Sequence, residues 1–337
     1  MGNELNSVGG FPTWHDLMPQ GIEQGHWAYS ASHALRDFFQ HLGVRELWLP
    51  DFYCPDTVHF LNRFFKLHRY AEKQPGQTGI PAAAQPGQGI VYYPPLGQTQ
   101  GCRLPALAEL QARQLQPVLD LVHDLHAAPH WHTQGWNTVV SYRKFYPVPY
   151  GARLLSEQMP ANADQLDRTA GRAAELDMSW LPLLQPRTEG YARFKQHEAQ
   201  LHQADATPAA WVPKMIASLN EFEFQQRRQS AYQWLSQKLD PINQFFDATG
   251  CGRITGCAPI AYPFYQAGMD SPHLRQQLAA KGVFIPQFWP GLNRPEGPSA
   301  WHDCLLLPTG PLLSPRQLDY LLEQLLSSLR SLPKDSP

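Results

Sequence analysis

Three features of the chain could do chemistry together, because each stands where an apolar pattern starts or stops. Asp120 closes the run "PVLD", and His123 follows three residues later. Lys144 closes "VVSYRK", 24 residues beyond Asp120, with Pro147 and Pro149 stiffening the chain that leaves it. "SASHAL" at 30–35 opens a helical pattern with small polar residues, whose unbonded backbone N–H groups suit an anion. Pyridoxal phosphate requires that combination: a lysine for the Schiff base, an acid for the pyridine nitrogen and an anion cradle. Taken singly, each has an ordinary role, Asp120 as a turn former, Lys144 as a solvated charge and the serines as helix caps.

A second cluster, "HDLHAAPHWH", carries His123, His126, His130 and His132. Imidazoles at such spacings can hold a metal. No cysteine is near, however, and no H-E-x-x-H pattern supplies a base. The stretch reads as an irregular loop around Pro129 that uses its imidazoles for packing and hydrogen bonds, and no metal is expected. Cys251 and Cys257 in "CGRITGC" lack the C-x-x-C spacing of a redox or metal pair.

Positioning the acid and the amine takes a sheet. "RELWLP" (45–50), "LHRYAE", "IVYYPP" (90–95), "PVLDL" (117–121) and "TVVSY" (138–142) read as short buried strands. Between them, helical patterns run through Ala34, Leu35, Phe38 and Phe39, through Val58 to Phe65, and over 104–114. This alternation predicts a mostly parallel sheet covered by helices, with ligands beyond the carboxyl ends of the strands. The "QPGQTGIPAAAQPGQG" stretch (74–89) reads as a loop and a candidate lid.

Beyond it the pattern changes. Residues 214–239 predict one long helix, followed by strands at 258–265, 282–289 and 304–310 and helices capped by Ser271-Pro272 and Ser314-Pro315. The chain therefore divides into a large domain at 1–213 and a smaller C-terminal α+β domain at 214–337.

Composition narrows the classes. With 337 residues, 43% hydrophobic and 12% aromatic, a large core can be buried. A net charge of −2 argues against a nucleic-acid partner, and no apolar run approaches the roughly 20 residues of a membrane span. The opening "MGNELNSVGGFPTW" lacks the basic and apolar regions of a secretion signal, and the five scattered cysteines read as free thiols. A cytoplasmic location is expected.

The ordered series of motifs resembles the fold-type I pyridoxal-phosphate enzymes of the DegT/DnrJ/EryC1/StrS aminotransferase-like family. It is most similar to a branch with an "SLRKxxPVPDGG" lysine motif, here Ser141 through Ala152. "SGRxAL" resembles Ser30–Leu35, "LPxYYCP" Leu49–Pro55, "DxxHS" Asp120–Asp124, and "RRxNYxxL" the Arg227–Leu235 stretch. The resemblance spans about residues 28 to 325. It implies a large domain with a mostly parallel seven-stranded sheet, a smaller α+β domain, and a homodimer whose sites are built across the interface. It implies Lys144 as the Schiff-base lysine and proton carrier, Asp120 on the pyridine nitrogen, His123 near the phenolic oxygen and Tyr53 stacked on the ring, with Phe52 or Cys54 as alternatives. Ala31, Ser32 and Ser141 would hold the phosphate, with Arg143 as an extra charge.

Aminotransfer to a small carbonyl substrate, such as a keto-sugar nucleotide, is the activity implied first. A lyase, aldol-type or carbon–carbon bond-forming reaction on the same cofactor is the alternative, as is a non-catalytic binding role. Two departures bear on that choice. Ala31 and Ser32 replace the family's glycine and arginine at the phosphate turn, removing backbone freedom and a charged contact. Tyr150 and Ala152 replace small or acidic residues after the lysine, where an altered substrate contact is expected.

Overall fold

In the computed structural model, the apolar runs of the first half become the centre of one seven-stranded sheet. The structure describes residues 24–71, 79–97, 104–162, 166, 208–251, 259–286 and 299–330. The strands are β1 (His26–Ala28), β2 (Glu46–Pro50), β3 (Lys66–Tyr70), β4 (Gly89–Tyr92), β5 (Gln116–Asp120), β6 (Asn137–Ser141) and β7 (Ala152–Leu155). Their order across the sheet is β1-β7-β6-β5-β4-β2-β3. The pairs β2–β3, β2–β4, β4–β5 and β5–β6 are parallel, while β7 runs antiparallel between β6 and β1. The expected mostly parallel, seven-stranded architecture is present.

Strand alternation sorts the side chains into two cores. Val91, Val118 and Val139 point into the core that also holds Leu35, Phe38 and Phe39 of helix α1 (Ala31–His41). Tyr92, Leu119 and Val140 point to the opposite face, against Trp136, Val212 and Ile216. Burial on both faces explains why these strands read as continuous apolar runs. Helices α2 (Pro55–Leu61), α3 (Leu107–Ala112) and α4 (Ala128–Thr133) join the parallel strands. Of the 74–89 stretch, residues 74–78 lie outside the described residues. The rest is tied down: Ala84 is buried, and Arg113 Nη2 donates to the Pro81 and Ala84 carbonyls at 3.2 and 3.0 Å.

The second half departs from expectation in three places. The long helix over 214–239 is two helices, α5 (Trp211–Ser218) and α6 (Glu221–Leu239), because Asn220 caps α6 by accepting from the Glu223 N–H at 3.2 Å. The division expected between 213 and 214 thus falls inside α5. After the short α7 (Phe245–Thr249), helix α8 (Ser271–Ala280) is capped by Asp270, which accepts from the His273 N–H at 3.0 Å; Ser271 instead donates to the Asp303 carbonyl. Residues 283–286 form no strand, and 287–289 lie outside the described residues. The remaining elements are α9 (Ala300–Asp303), α10 (Pro315–Arg330), and a two-stranded antiparallel sheet of β8 (Ala261–Phe264) and β9 (Leu305–Pro308). Ser314 caps α10 as expected, accepting from the Gln317 N–H at 3.3 Å. Tyr232 and Leu235 of α6 share the first core with Phe264 and Leu305 of this small sheet.

Candidate active site

Four adjacent parallel strands, β6, β5, β4 and β2, end on one edge of the sheet, and each delivers a group to it. Lys144 sits in the 3-10 turn Tyr142–Lys144 that follows β6. Asp120 is the last residue of β5, and His123 lies in the turn beyond it. Tyr93 follows β4, and Tyr53 follows β2.

These groups form a continuous chain of contacts. Lys144 Nζ lies 3.1 Å from His123 Nε2. The Tyr93 hydroxyl lies 2.7 Å from His123 Nδ1, which also accepts the Leu96 backbone N–H at 3.3 Å. The rings of Tyr93 and Tyr53 meet edge to face at 5.4 Å, and the Tyr53 hydroxyl donates to Asp120 Oδ2. The other carboxylate oxygen, Oδ1, accepts the Val122 N–H at 3.0 Å. Of the three candidates for ring stacking, Tyr53 is the one against Asp120. Phe52 turns away to Trp301, at 5.6 Å between ring centroids, and Cys54 precedes α2 at its N-cap.

Burial dominates the electrostatics. It raises the Asp120 carboxyl above its ordinary value of 3.8, although the Tyr53 and Val122 bonds and any positive charge on Lys144 favour the anion. Burial also pushes the Tyr53 phenol well up, with the Asp120 charge as the second cause. His123 is held well below the usual imidazole range by burial and by any positive charge on Lys144.

The lysine turn is clamped from behind. Arg228 of α6 donates through Nη2 to the carbonyls of Lys144 and Phe145, at 3.2 and 3.1 Å. Its guanidinium lies 5.0 Å from the Phe145 ring centre, a cation–π distance. Burial lowers the Arg228 pKa to about 10. Neither Tyr93 nor Arg228 was expected at the site from the sequence. "YYPP" carries no catalytic spacing, and Arg228 stands in the sequence only as part of the Arg227–Leu235 motif, with no role at the lysine assigned to it.

The helix start lies on the same edge. Ser30 caps α1, accepting from the His33 N–H at 3.5 Å, and its hydroxyl meets His33 Nδ1 at 2.8 Å. Ala31 opens the helix, and Ser32 donates to Thr57 Oγ1 at 3.1 Å. The preceding Tyr29 carbonyl accepts the Gly151 N–H at 3.0 Å, and the Gly151 carbonyl accepts the Tyr142 N–H at 3.0 Å. The start of α1 therefore hangs from the chain around the lysine. Gly151 makes this link at φ +122, where a Cβ would come within 3.0 Å of Val212 Cγ1. Ser141 is buried at the end of β6, and Arg143 is half-buried in the lysine turn.

Tyr150 and Ala152 do not face the site as expected. Tyr150 is 1% exposed and stacks on Tyr29 at 4.2 Å. Ala152 lies in β7, paired with Ser141 on one side and Ala28 on the other. Both are packing residues of the antiparallel corner.

The remaining histidines disperse. His126 Nδ1 pairs with Glu221 Oε1 at 3.1 Å, His132 Nδ1 reaches the Trp136 carbonyl at 3.4 Å, and His130 packs on Trp131. No group of three His, Cys, Asp or Glu among the described residues is arranged to hold a metal. No helix among them is long and apolar enough to cross a membrane.

No family model matches the chain, and no curated protein matches it in sequence. Solved structures do match in shape. Ntda from Bacillus subtilis with bound cofactor PMP is 13% identical, over 92% of this chain and 74% of that one, with a TM-score of 0.57. The PseC aminotransferase of Helicobacter pylori, involved in the biosynthesis of pseudoaminic acid, is 11% identical over 93% and 88%, with a TM-score of 0.56. A DegT DnrJ EryC1 StrS aminotransferase from Brucella abortus is 12% identical over 91% and 86%, with a TM-score of 0.54. The chain has the fold of these aminotransferases, the fold-type I architecture that the motif series implied.

Proposed function

We propose that this chain binds pyridoxal 5'-phosphate and catalyses aminotransfer to a small carbonyl substrate. The observation that carries the reading is the convergence of Asp120, His123 and Lys144 at the ends of β5 and β6. The donor set fits the cofactor. Asp120 is a desolvated carboxylate whose own hydrogen bonds do not offset its burial, so a cationic N–H, such as that of a protonated pyridine, would complete its environment.

In this reading Asp120 holds the proton of the pyridine nitrogen, and His123 donates to the phenolic oxygen. Ala31 and Ser32 at the start of α1, with Ser141, hold the phosphate, and Arg143 adds charge beside it. The bound cofactor supplies an electron sink for charge that develops on the substrate carbon. Lys144 is the covalent attachment point and carries protons between the substrate and the site. Arg228 fixes the backbone from which that amine swings. The buried aromatic rings of Tyr53 and Tyr93 exclude water from the Asp120 side. The substrate class proposed is a keto-sugar nucleotide, the acceptor that the motif resemblance implies. A homodimer and a cytoplasmic location belong to the same proposal, as does a division into a sheet domain and a smaller C-terminal domain.

Absorbance of the purified chain with added pyridoxal phosphate tests the reading. A visible band that is absent in Lys144→Ala is expected, as is conversion to the pyridoxamine form on adding glutamate. A protein that stays colourless with excess cofactor overturns it. A band that glutamate leaves unchanged favours the lyase or carbon–carbon bond-forming alternative.

A further inference from the structure

The turn that follows β4 is built around His123. Pro95–Gly97 forms a 3-10 turn in which Leu96 has φ 58 and ψ 16, a left-handed conformation that side chains with a Cβ avoid. Gly97 follows at φ 76, and a Cβ there would lie 2.8 Å from the His123 carbonyl oxygen. The left-handed Leu96 aims its backbone N–H at His123 Nδ1 across 3.3 Å, while Gly97 lets the chain pass close over the same residue.

The backbone contact assigns the imidazole, with the Tyr93 hydroxyl nearer to Nδ1 than to Nε2, at 2.7 against 3.5 Å. A backbone N–H can only donate, so Nδ1 must be the unprotonated nitrogen. With Nδ1 unprotonated, the Tyr93 hydroxyl 2.7 Å away is the second donor sharing its single lone pair with the longer Leu96 contact. With His123 buried and neutral, its one proton lies on Nε2, the nitrogen 3.1 Å from Lys144 Nζ. An ammonium has no lone pair and would set two donors face to face; a neutral amine accepts.

We propose that the Pro95–Gly97 turn and Tyr93 lock His123 as its Nε2–H tautomer, and that this N–H holds the Lys144 amine in its neutral, nucleophilic form. Tyr93 and Leu96 are thus positioning residues, acting on the lysine through the imidazole. Their catalytic meaning rests on the proposed role of Lys144, whereas the lock is a property of the chain without cofactor. Among the described residues, the other titratable groups around the pair are Asp120 with Tyr53 bonded to it, Asp124 beside the turn, Arg143 next to the lysine, and Arg228 on the carbonyls behind.

The test is the nitrogen NMR spectrum of the cofactor-free, 15N-labelled full chain, with the His123 signals assigned by their loss in His123→Gln. Near neutral pH the expected pair of shifts is that of a neutral imidazole protonated at Nε2. In Tyr93→Phe one donor to Nδ1 is gone, and the tautomer ratio should move roughly fivefold towards Nδ1–H. An Nδ1–H tautomer or an imidazolium in the wild type overturns the lock, and so does an unchanged ratio in Tyr93→Phe.

A second measurement needs no variant. Trace labelling with acetic anhydride, read by mass spectrometry, compares the pH profile of Lys144 with that of the exposed Lys66. A Lys144 profile displaced to lower pH supports the proposal, and coincident profiles overturn it. Neither measurement uses cofactor. A chain that passes both yet never binds pyridoxal phosphate would fail only the proposed function.

Discussion

The ends of the parallel strands and the antiparallel corner of the same sheet are both rich in buried tyrosines, and they use them differently. At the parallel ends, the hydroxyls of Tyr53 and Tyr93 bond Asp120 and His123, so each ring carries a proton donor to a titratable group. At the corner, the rings pack on one another: Tyr150 on Tyr29, and Tyr142 between Trp27 at 5.1 Å and Tyr146 at 6.1 Å. Arg153 lies over both Trp27 and Tyr142. One region is organised by hydrogen bonds and is electrostatically expensive; the other is organised by ring area and fixes the chain that leaves the lysine. Parallel strands all end on one side and gather polar groups there, while the antiparallel return brings both chain directions together, here filled by stacked rings.

Three substitutions probe this contrast. Tyr150→Ala should cost the most stability, about 3–5 kcal/mol, because it empties a fully buried ring site and removes the Tyr29 stack. Denaturant unfolding measures it, and a loss below about 1 kcal/mol would show that the corner is not held by ring area. Arg228→Met should cost about 1–3 kcal/mol, since two carbonyls of the lysine turn lose their donor. It should also weaken cofactor retention, read as slower growth of the visible band, which Tyr150→Phe should not do.

Tyr53→Phe should have the smallest effect on stability near neutral pH and the clearest dependence on pH. The Asp120 pKa in the folded chain lies above its ordinary value, so the native state keeps that proton longer than the unfolded chain does. Stability of the cofactor-free protein should therefore be fullest below about pH 4 with respect to this group, and fall as pH rises through the folded value. Removing the Tyr53 bond takes away a stabiliser of the anion and should extend that fall to higher pH. His123 acts in the opposite direction: its lowered pKa withdraws stability as pH drops below its unfolded value, and it should do so equally in wild type and variant. An unchanged pH profile in Tyr53→Phe would remove Tyr53 from the electrostatics of the site.

The parallel strands and the residues at their ends were legible because each is signalled locally. A short apolar run buried on both faces announces β5 and β6, and Asp120 and Lys144 follow directly. β1 and β7 were not legible. "HWA" and "ARLL" are three and four residues long, and each is a strand only because of a partner far away in the sequence. The break between α5 and α6 turns on the side chain of Asn220, which helical periodicity passes over. Tyr150 and Ala152 were expected to mark an altered substrate contact because they replace the small or acidic residues of the resembling motif, but they lie in the core at the start of β7. Tyr93 and Leu96 were hidden for another reason: their role depends on where the His123 ring lies, not on their own residue types.

The clamp from Arg228 to the lysine turn closes a loop of 84 residues, and inside it Tyr150 accepts the Ala209 N–H at 3.4 Å. Tyr150 thus ties the chain just beyond the lysine turn to Ala209, two residues before α5. Loop closure entropy grows only with the logarithm of length, about 0.6 kcal/mol for each doubling. The backbone of Lys144 is thereby held by a helix that lies 84 residues further along the chain, so a change in α6 reaches the lysine turn without any neighbour in sequence.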